Sequence, residues 1–266
     1  MNSRNNKEQS KQKNKNDRFE NLKSDHFLDR LLSYMKKNRS LEIMKINKDL
    51  QKRLHLSINS YKEYSQLYTP IEIELTLEND KFGKFINIPK DEKEYFHIYF
   101  DNSSEEIKRN KLNKNEKVNK IKIIIDHQVK SFKDLFCFCD CISSINFKKF
   151  YRTNITNMSG MFYGCYSLKE LNLSNFNTNN VTNMRSMFSG CSSLKELNLS
   201  NFYTNNVTDM RSMFYGCYSL IELNLTSFNT INVTYMGEMF IGCSNEFQNK
   251  IRAQYKNIKE EAFIKY

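Results

Sequence analysis

The sequence lacks several features that would place it in a common functional class. No run of about 18 or more apolar residues occurs, so we expect no membrane-spanning segment. The polar N-terminus has no apolar stretch typical of a secretory signal, which predicts a cytoplasmic protein. Tryptophan is absent, glycine occurs only seven times, and neither a P-loop nor a G-x-G-x-x-G motif is present. Nucleotide binding by these motifs is therefore excluded.

The patterns needed for catalysis are also missing. The four histidines are scattered and form neither an H-x-x-x-H nor a Cys–His pattern typical of a metal site or an activated nucleophile. They are His26, His55, His97 and His127. The sequence therefore predicts a protein that is not an enzyme, with no catalytic residues, no metal site and no cofactor.

Positive charge is concentrated in the N-terminal quarter. The net charge is +11, and residues 1–65 contain 16 basic and 8 acidic residues. A basic segment can attract nucleic acid or anionic lipid, but residues 1–16 have the composition of a solvated, disordered head. We therefore expect no nucleic-acid partner.

What the sequence contains instead is a repeat of 26 residues. The consensus is x-M-x-x-M-F-x-G-C-x-x-L-x-E-L-N-L-S-x-F-x-T-x-N-V-T, and such a fixed period indicates a repeat architecture. We number five copies along the chain, of which the first is divergent and the fifth is partial. They cover residues 131–156, 157–182, 183–208, 209–234 and 235–245.

Each copy combines two periodicities. Leu171 and Leu173 alternate with polar residues, which predicts a short strand. The preceding apolar residues recur at the spacing of one helix face, and they are Met158, Met161, Phe162, Cys165 and Leu168. Since one copy cannot bury its own apolar face, the copies are expected to stack. The predicted fold is an α/β solenoid, a leucine-rich-repeat-like stack of 26-residue strand–helix units.

Five of the seven cysteines recur every 26 residues and form one column of the repeat. They are Cys139, Cys165, Cys191, Cys217 and Cys243. Side chains of one column point into the same core, and free cysteine behaves there as a small buried hydrophobe. We therefore predict reduced core thiols, as is usual inside cells.

The repeat residues 131–245 are expected to lie between two capped ends. Residues 17–65 are predicted to form a helical module, and residues 66–130 a small β-rich cap with the strand-like runs IEIELTL, YFHIYF and KIKIIID. The last of these strands, residues 121–125, is expected to lead onto the first copy. Residues 246–266 place Phe247 and Ile251 at helical spacing and are predicted to form a C-terminal capping helix.

The recurring string MFxGCxxLxxLNLSxFxTxxVT resembles the BspA-like leucine-rich repeat family. The resemblance covers residues 131–245. The 26-residue repeat of that family is known from mycoplasma lipoproteins and protist surface proteins. The resemblance implies a leucine-rich-repeat-like stack. Because bacterial relatives are cell-surface adhesins, it also implies surface adhesion as an alternative function.

The outward residues of the predicted strand ladder form the candidate binding face. Repeated polar columns of this kind can hold an extended protein partner through many weak contacts. The candidate residues are Glu170, Asn172, Ser174, Glu196, Asn198, Ser200, Glu222, Asn224 and Thr226. We therefore predict a protein–protein interaction module.

A second alternative rests on the predicted helices before the repeats. Residues 27–54 are faintly similar to an F-box, which recruits a ubiquitin-ligase scaffold. This similarity implies a substrate adaptor of a ubiquitin ligase.

Overall fold

The computed structural model describes Lys52 and residues 69–265. The segments predicted as a disordered head and a helical module, including the F-box-like residues, lie outside the described residues apart from Lys52. Residues 69–265 contain ten strands, one α-helix and two short 3-10 helices at Lys93–Tyr95 and Glu260–Phe263. The strands and the helix are β1 Ile71–Leu77, β2 Gly83–Lys84, β3 Phe96–Phe100, β4 Glu106–Ile107, β5 Lys111–Leu112, β6 Lys120–Ile125, β7 Ile142–Lys149, β8 Glu170–Asn172, β9 Glu196–Asn198, β10 Glu222–Asn224 and α1 Asn245–Gln254.

A six-stranded sheet combines four strands that precede the repeats with β7 of the first copy and β8 of the second. Its strand order is β4-β3-β6-β1-β7-β8, and β7 and β8 are its parallel pair. Ile71, Ile73 and Leu75 are fully buried, while the alternating residues of β1 are half-buried. This alternation gives the sheet one apolar face, which packs on the core. The strand-like runs of the sequence are confirmed as β1, β3 and β6.

The sheet meets the repeats through β1. This strand pairs antiparallel with β7 of the first copy, with Ile73 opposite Phe147 and Leu75 opposite Ile145. β6 lies on the other side of β1. The expectation that residues 121–125 lead onto the first copy is therefore wrong. An alternating strand pattern fixes which side chains are buried, but it does not fix the order of strands in the sheet.

The segment that was expected to be helical in each copy is a ribbon of turns. The N–H groups of Met161, Tyr163 and Cys165 each donate to the carbonyl three residues earlier, at 3.0–3.3 Å. The intervening N–H groups donate instead to the next copy, at 2.8–2.9 Å, and these bonds are Met158 to Asn183, Gly160 to Arg185, Phe162 to Met187 and Gly164 to Ser189. A helix needs every amide for its own i→i−4 bonds, so the ribbon and the helix are mutually exclusive.

The prediction of an α/β solenoid built from strand–helix units is therefore wrong. The described residues are mostly sheet and turn, and their single α-helix lies after the copies. The apolar residues assigned to the helix face, from Met158 to Leu168, are all buried nonetheless. The spacing i, i+3, i+4, i+7 points side chains inward in the turn ribbon as it does in a helix, so it did not distinguish the two.

Phenylalanine rings form a continuous column through the core of the copies. Successive ring centroids are 5.2–5.8 Å apart, and the ring planes differ by at most 18°. The members are Phe136, Phe162, Phe188, Phe214, Phe240 and Phe263. Each buried ring contributes roughly 1.5–3 kcal/mol of hydrophobic stabilisation, so the copies stabilise one another through this column.

The C-terminal segment covers the last copy. α1 is confirmed as a helix, with the Ser244 hydroxyl accepting from the N–H of Phe247 at 3.2 Å. It ends at Gln254, earlier than expected. Beyond it, the chain continues the turn ribbon, since the N–H of Phe240 donates to Ala262 at 2.8 Å. Within the described part of the chain, no helix has the length and apolar character needed to cross a membrane.

Left-handed backbone at fixed positions of each copy yields a testable prediction. Gly190 has φ +77°, and a Cβ there would lie 3.3 Å from the Cα of Gly164. A left-handed non-glycine residue costs about 1–2 kcal/mol, so Gly190→Ala is expected to lower the free energy of unfolding by at least this amount. Ser186 has φ +54°, and Ser186→Gly is expected to raise it by up to about 1 kcal/mol. Urea unfolding of both variants measures the difference, and an unchanged Gly190→Ala midpoint would contradict the ribbon geometry.

Candidate functional site

The three short strands of the second, third and fourth copies present the predicted face. Glu170, Glu196 and Glu222 are exposed at the first position of β8, β9 and β10. Leu197 and Leu223, at the middle position, are buried. The pairing is parallel and in register, so that Glu222 lies opposite Glu196. Glu196 and Glu222 therefore lie side by side, and Glu170 is exposed at the same position of β8.

An open groove of about 590 Å³ runs along this face, and we call it the ladder groove. Six predicted residues line it, namely Glu170, Glu196, Asn198, Glu222, Asn224 and Thr226. Asn172, Ser174 and Ser200 do not line it. The groove also includes Lys169, Leu171, Leu197, Leu223, Gln254 and Tyr255, which were not in the predicted set. A surface of this size accommodates several side chains of a bound segment.

The asparagine side chains of the face form hydrogen bonds with the nearby backbone. The Oδ1 atoms of Asn172, Asn198 and Asn224 each accept from the N–H two residues later, at 3.0–3.1 Å. Such side-chain bonds stabilise the turn that ends each strand. These residues therefore position the face, whereas Glu170 and Glu196 form no ion pair within residues 69–265 and can contact a partner.

The strand ladder is interrupted between the second and third copies. β8 belongs to the six-stranded sheet, whereas β9 pairs only with β10 in a separate two-stranded sheet. Leu171, on the β8 side of this seam, is half-buried, while Leu197 is 4 % exposed. The seam therefore brings an apolar side chain to the floor of the ladder groove.

Charge on the face is only partly neutralised. Lys169 pairs with Glu78 at 2.8 Å, and Lys250 pairs with Glu222 at 2.7 Å. Glu170 and Glu196 form no ion pair within residues 69–265. These two unpaired carboxylates both line the groove and give this part of it a negative charge, which favours a cationic group.

Tyr255 closes the C-terminal end of the ladder groove. Its hydroxyl accepts from the N–H of Leu225 at 3.0 Å and donates to the carbonyl of Leu223 at 3.3 Å. It thus satisfies edge groups of β10 that would otherwise pair with a further strand. The sequence had assigned Tyr255 to the capping helix, and nothing in the helical spacing indicated this contact.

The column of cysteines is structural. The seven cysteines are free, and the five of the column are buried. The thiols of the later four donate to the carbonyl of a phenylalanine one copy earlier, for example Cys165 to Phe136 at 3.0 Å and Cys191 to Phe162 at 3.2 Å. Burial raises the pKa of the Cys191 thiol well above its ordinary value. The prediction of core thiols is confirmed for the column.

In the described part of the chain, no group of three or more His, Cys, Asp and Glu residues is placed to hold a metal ion.

These features define a repeat protein whose stacked copies carry an open polar groove. Residues 130–254, which include all five copies, match the model of a family described as Mycoplasma protein of unknown function, DUF285. No curated protein and no solved structure matches the chain significantly. The repeats are therefore similar to those of a mycoplasma family, and the match assigns no ligand or activity to the groove.

Thiol accessibility tests the structural role of the cysteines. Cys137 is half-buried, whereas the other six are buried. We expect an aromatic disulfide reagent at pH 8 to modify about one thiol per native molecule in a fast phase, because buried thiols with raised pKa values react slowly. All seven should react in denaturant. Fast modification of two or more thiols in the folded protein would contradict the buried column, and mass mapping identifies the modified residue.

Proposed function

We propose that this chain is a non-enzymatic protein-interaction module that binds an extended partner segment in the ladder groove. The observation that carries the proposal is the grouping of six predicted face residues from three copies around one open groove. Its floor is leucine and its rim is glutamate, threonine and asparagine. A floor and rim of this kind suit a peptide with alternating apolar and polar side chains.

The free charges of the groove suggest the chemistry of that partner. Glu170 and Glu196 are exposed and form no ion pair within residues 69–265, and the half-buried Leu171 lines the same groove. A segment that places a lysine or arginine near the two carboxylates and an apolar side chain against Leu171 satisfies both features. Complementary charge would mainly increase the association rate and the selectivity.

The finer family assignment is part of the same proposal. We infer from the recurring MFxGCxxL and LNLSxFxT strings that the copies are of the BspA-like leucine-rich repeat type in sequence. The match to a mycoplasma family is compatible with that type.

Buried free thiols in all four later copies favour a cytoplasmic setting over surface adhesion. The adaptor alternative rests on residues 27–54, whose predicted helices lie, apart from Lys52, outside the described residues.

A charge reversal tests the proposed partner chemistry. The probe is a fluorescent oligolysine peptide, and its affinity for the full-length protein is measured by anisotropy at low salt. Glu196→Lys is expected to weaken binding by about three- to tenfold, because one attraction is replaced by one repulsion. The exposed side chain of Glu196 makes no hydrogen bond within residues 69–265, so the fold is expected to be retained.

Glu105→Lys is the matched control. It causes the same change in net charge on an exposed loop before β4, at the opposite edge of the sheet from β8. Its affinity should stay within about twofold of the wild type. If both substitutions weaken oligolysine binding equally, the affinity depends only on the net charge of the protein. The proposed role of the ladder groove would then be wrong.

A further inference from the structure

A second groove of about 620 Å³ crosses the turn ribbon of the copies, and we call it the ribbon groove. It shares no residue with the ladder groove. Its central part is lined by Tyr163, Arg185, Ser186, Ser189 and Tyr215. Lys133 and Asp134 lie toward one end, and Glu238 toward the other. Nothing in the proposed protein-binding function uses this surface.

The shape of the ribbon groove comes from a departure of the third copy from its neighbours. The second and fourth copies read MFYGCYS, whereas the third reads MFSGCSS. Ser189 therefore occupies the column position that Tyr163 and Tyr215 occupy on either side. Because the backbones are hydrogen-bonded in register, the two tyrosines are two copies apart, roughly 10 Å by strand spacing. The missing ring leaves a gap between them.

Phe138 fixes one wall of this gap. Its ring meets that of Tyr163 edge to face at 4.9 Å, and it is itself 54 % exposed. Phe138 also packs closely over Gly164. The wall is therefore an exposed aromatic surface that is held in place before any ligand arrives, which lowers the entropic cost of binding.

The floor and rim of the gap offer unused hydrogen-bonding groups. Ser189 is only 4 % exposed, and its hydroxyl has no hydrogen-bond partner within residues 69–265 although it lines the groove. Because Ser189 lines the groove, its hydroxyl is available there to donate to and accept from a bound polar group. At the rim, the guanidinium of Arg185 is exposed and forms no ion pair in the same range, whereas Arg211 of the next copy is paired with Asp209 at 2.6 Å.

The backbone of the ribbon excludes one common class of anion site. Phosphate sites typically use several free backbone N–H groups, but here those of Gly160, Phe162 and Gly164 are consumed by bonds to the third copy. The groove is lined by hydroxyl groups, the guanidinium of Arg185 and two aromatic rings, with Lys133 and Asp134 toward one end and Glu238 toward the other. Sugars present complementary groups, since their C–H faces pack on aromatic rings and their hydroxyls both donate and accept.

We propose that the ribbon groove binds an acidic oligosaccharide. A sugar ring lies in the gap between Tyr163 and Tyr215, a sugar hydroxyl bonds to Ser189, and a carboxylate of the chain pairs with Arg185. The two cationic residues of the groove, Lys133 and Arg185, are balanced by Asp134 and Glu238, which limits the density of negative charge that it accepts. The ligand is therefore a carbohydrate with occasional carboxylates rather than a densely charged polyanion.

Refilling the gap is the sharpest test. Ser189→Tyr restores the residue that this position carries in the two neighbouring copies, so the fold is expected to be retained, which thermal unfolding checks. The probes are a hyaluronan hexasaccharide and its uncharged counterpart chitohexaose, titrated calorimetrically into the full-length protein. We expect the wild type to bind hyaluronan, and Ser189→Tyr to weaken that binding by at least about tenfold, because the ring occupies the sugar site.

Two further variants distinguish binding in the ribbon groove from non-specific binding. Arg185→Gln should weaken hyaluronan binding by about tenfold and remove the preference for it over chitohexaose, since the charged hydrogen bond is lost. Tyr203→Ala removes an exposed tyrosine that does not line the groove, and it should change affinity by no more than about twofold. Absence of hyaluronan binding, equal affinity of Ser189→Tyr and the wild type, or an unchanged preference in Arg185→Gln would overturn the proposal.

Discussion

In-register hydrogen bonding between successive copies is the constraint on which the rest of the structure depends. Every second amide of the turn ribbon donates to the carbonyl 25 residues later, as from Gly160 to Arg185 and from Ser186 to Arg211. The remaining amides close short turns within the copy. This division satisfies nearly all backbone groups of the ribbon without a helix, and it forces each side chain to lie directly against its counterpart in the next copy.

Two core columns follow from that register. The carbonyl of Phe162 accepts both the N–H of Cys165 and the thiol of Cys191 from the next copy, at 3.2 Å each. The phenylalanine rings above these carbonyls stack at 5.4–5.6 Å through the middle copies. A cysteine at this position is small enough to fit beside the ring and still donates a hydrogen bond. The period of 26 residues is thus maintained by packing and by polar contacts together.

The sequence was sufficient for the strands and the buried columns, but not for the turn ribbon or the seam. Alternation predicted that Glu170, Glu196 and Glu222 are exposed, and all three are. Helical spacing misled because left-handed residues such as Gly164 sit inside the segment and divert its amides to the neighbouring copy. The seam beside Leu171 had no sequence signal, since the strings LKELNLSNF of the second and third copies are identical. The seam lies between β8, which belongs to the sheet that contains β1 and β7, and β9, which pairs only with β10.

Identical copies also restrict where binding specificity can arise. A residue that recurs from copy to copy serves the common backbone, as Asn198 does by accepting a hydrogen bond from the N–H of Ser200. Sites that differ from their surroundings therefore occur where the repetition fails. The ladder groove includes the half-buried Leu171 at the seam, where strand pairing stops, and the ribbon groove includes Ser189, where the two neighbouring copies carry tyrosine. In a stack with a fixed backbone, a change from tyrosine to serine in one copy creates a cavity without altering the neighbours, so recognition can diverge while the core stays the same.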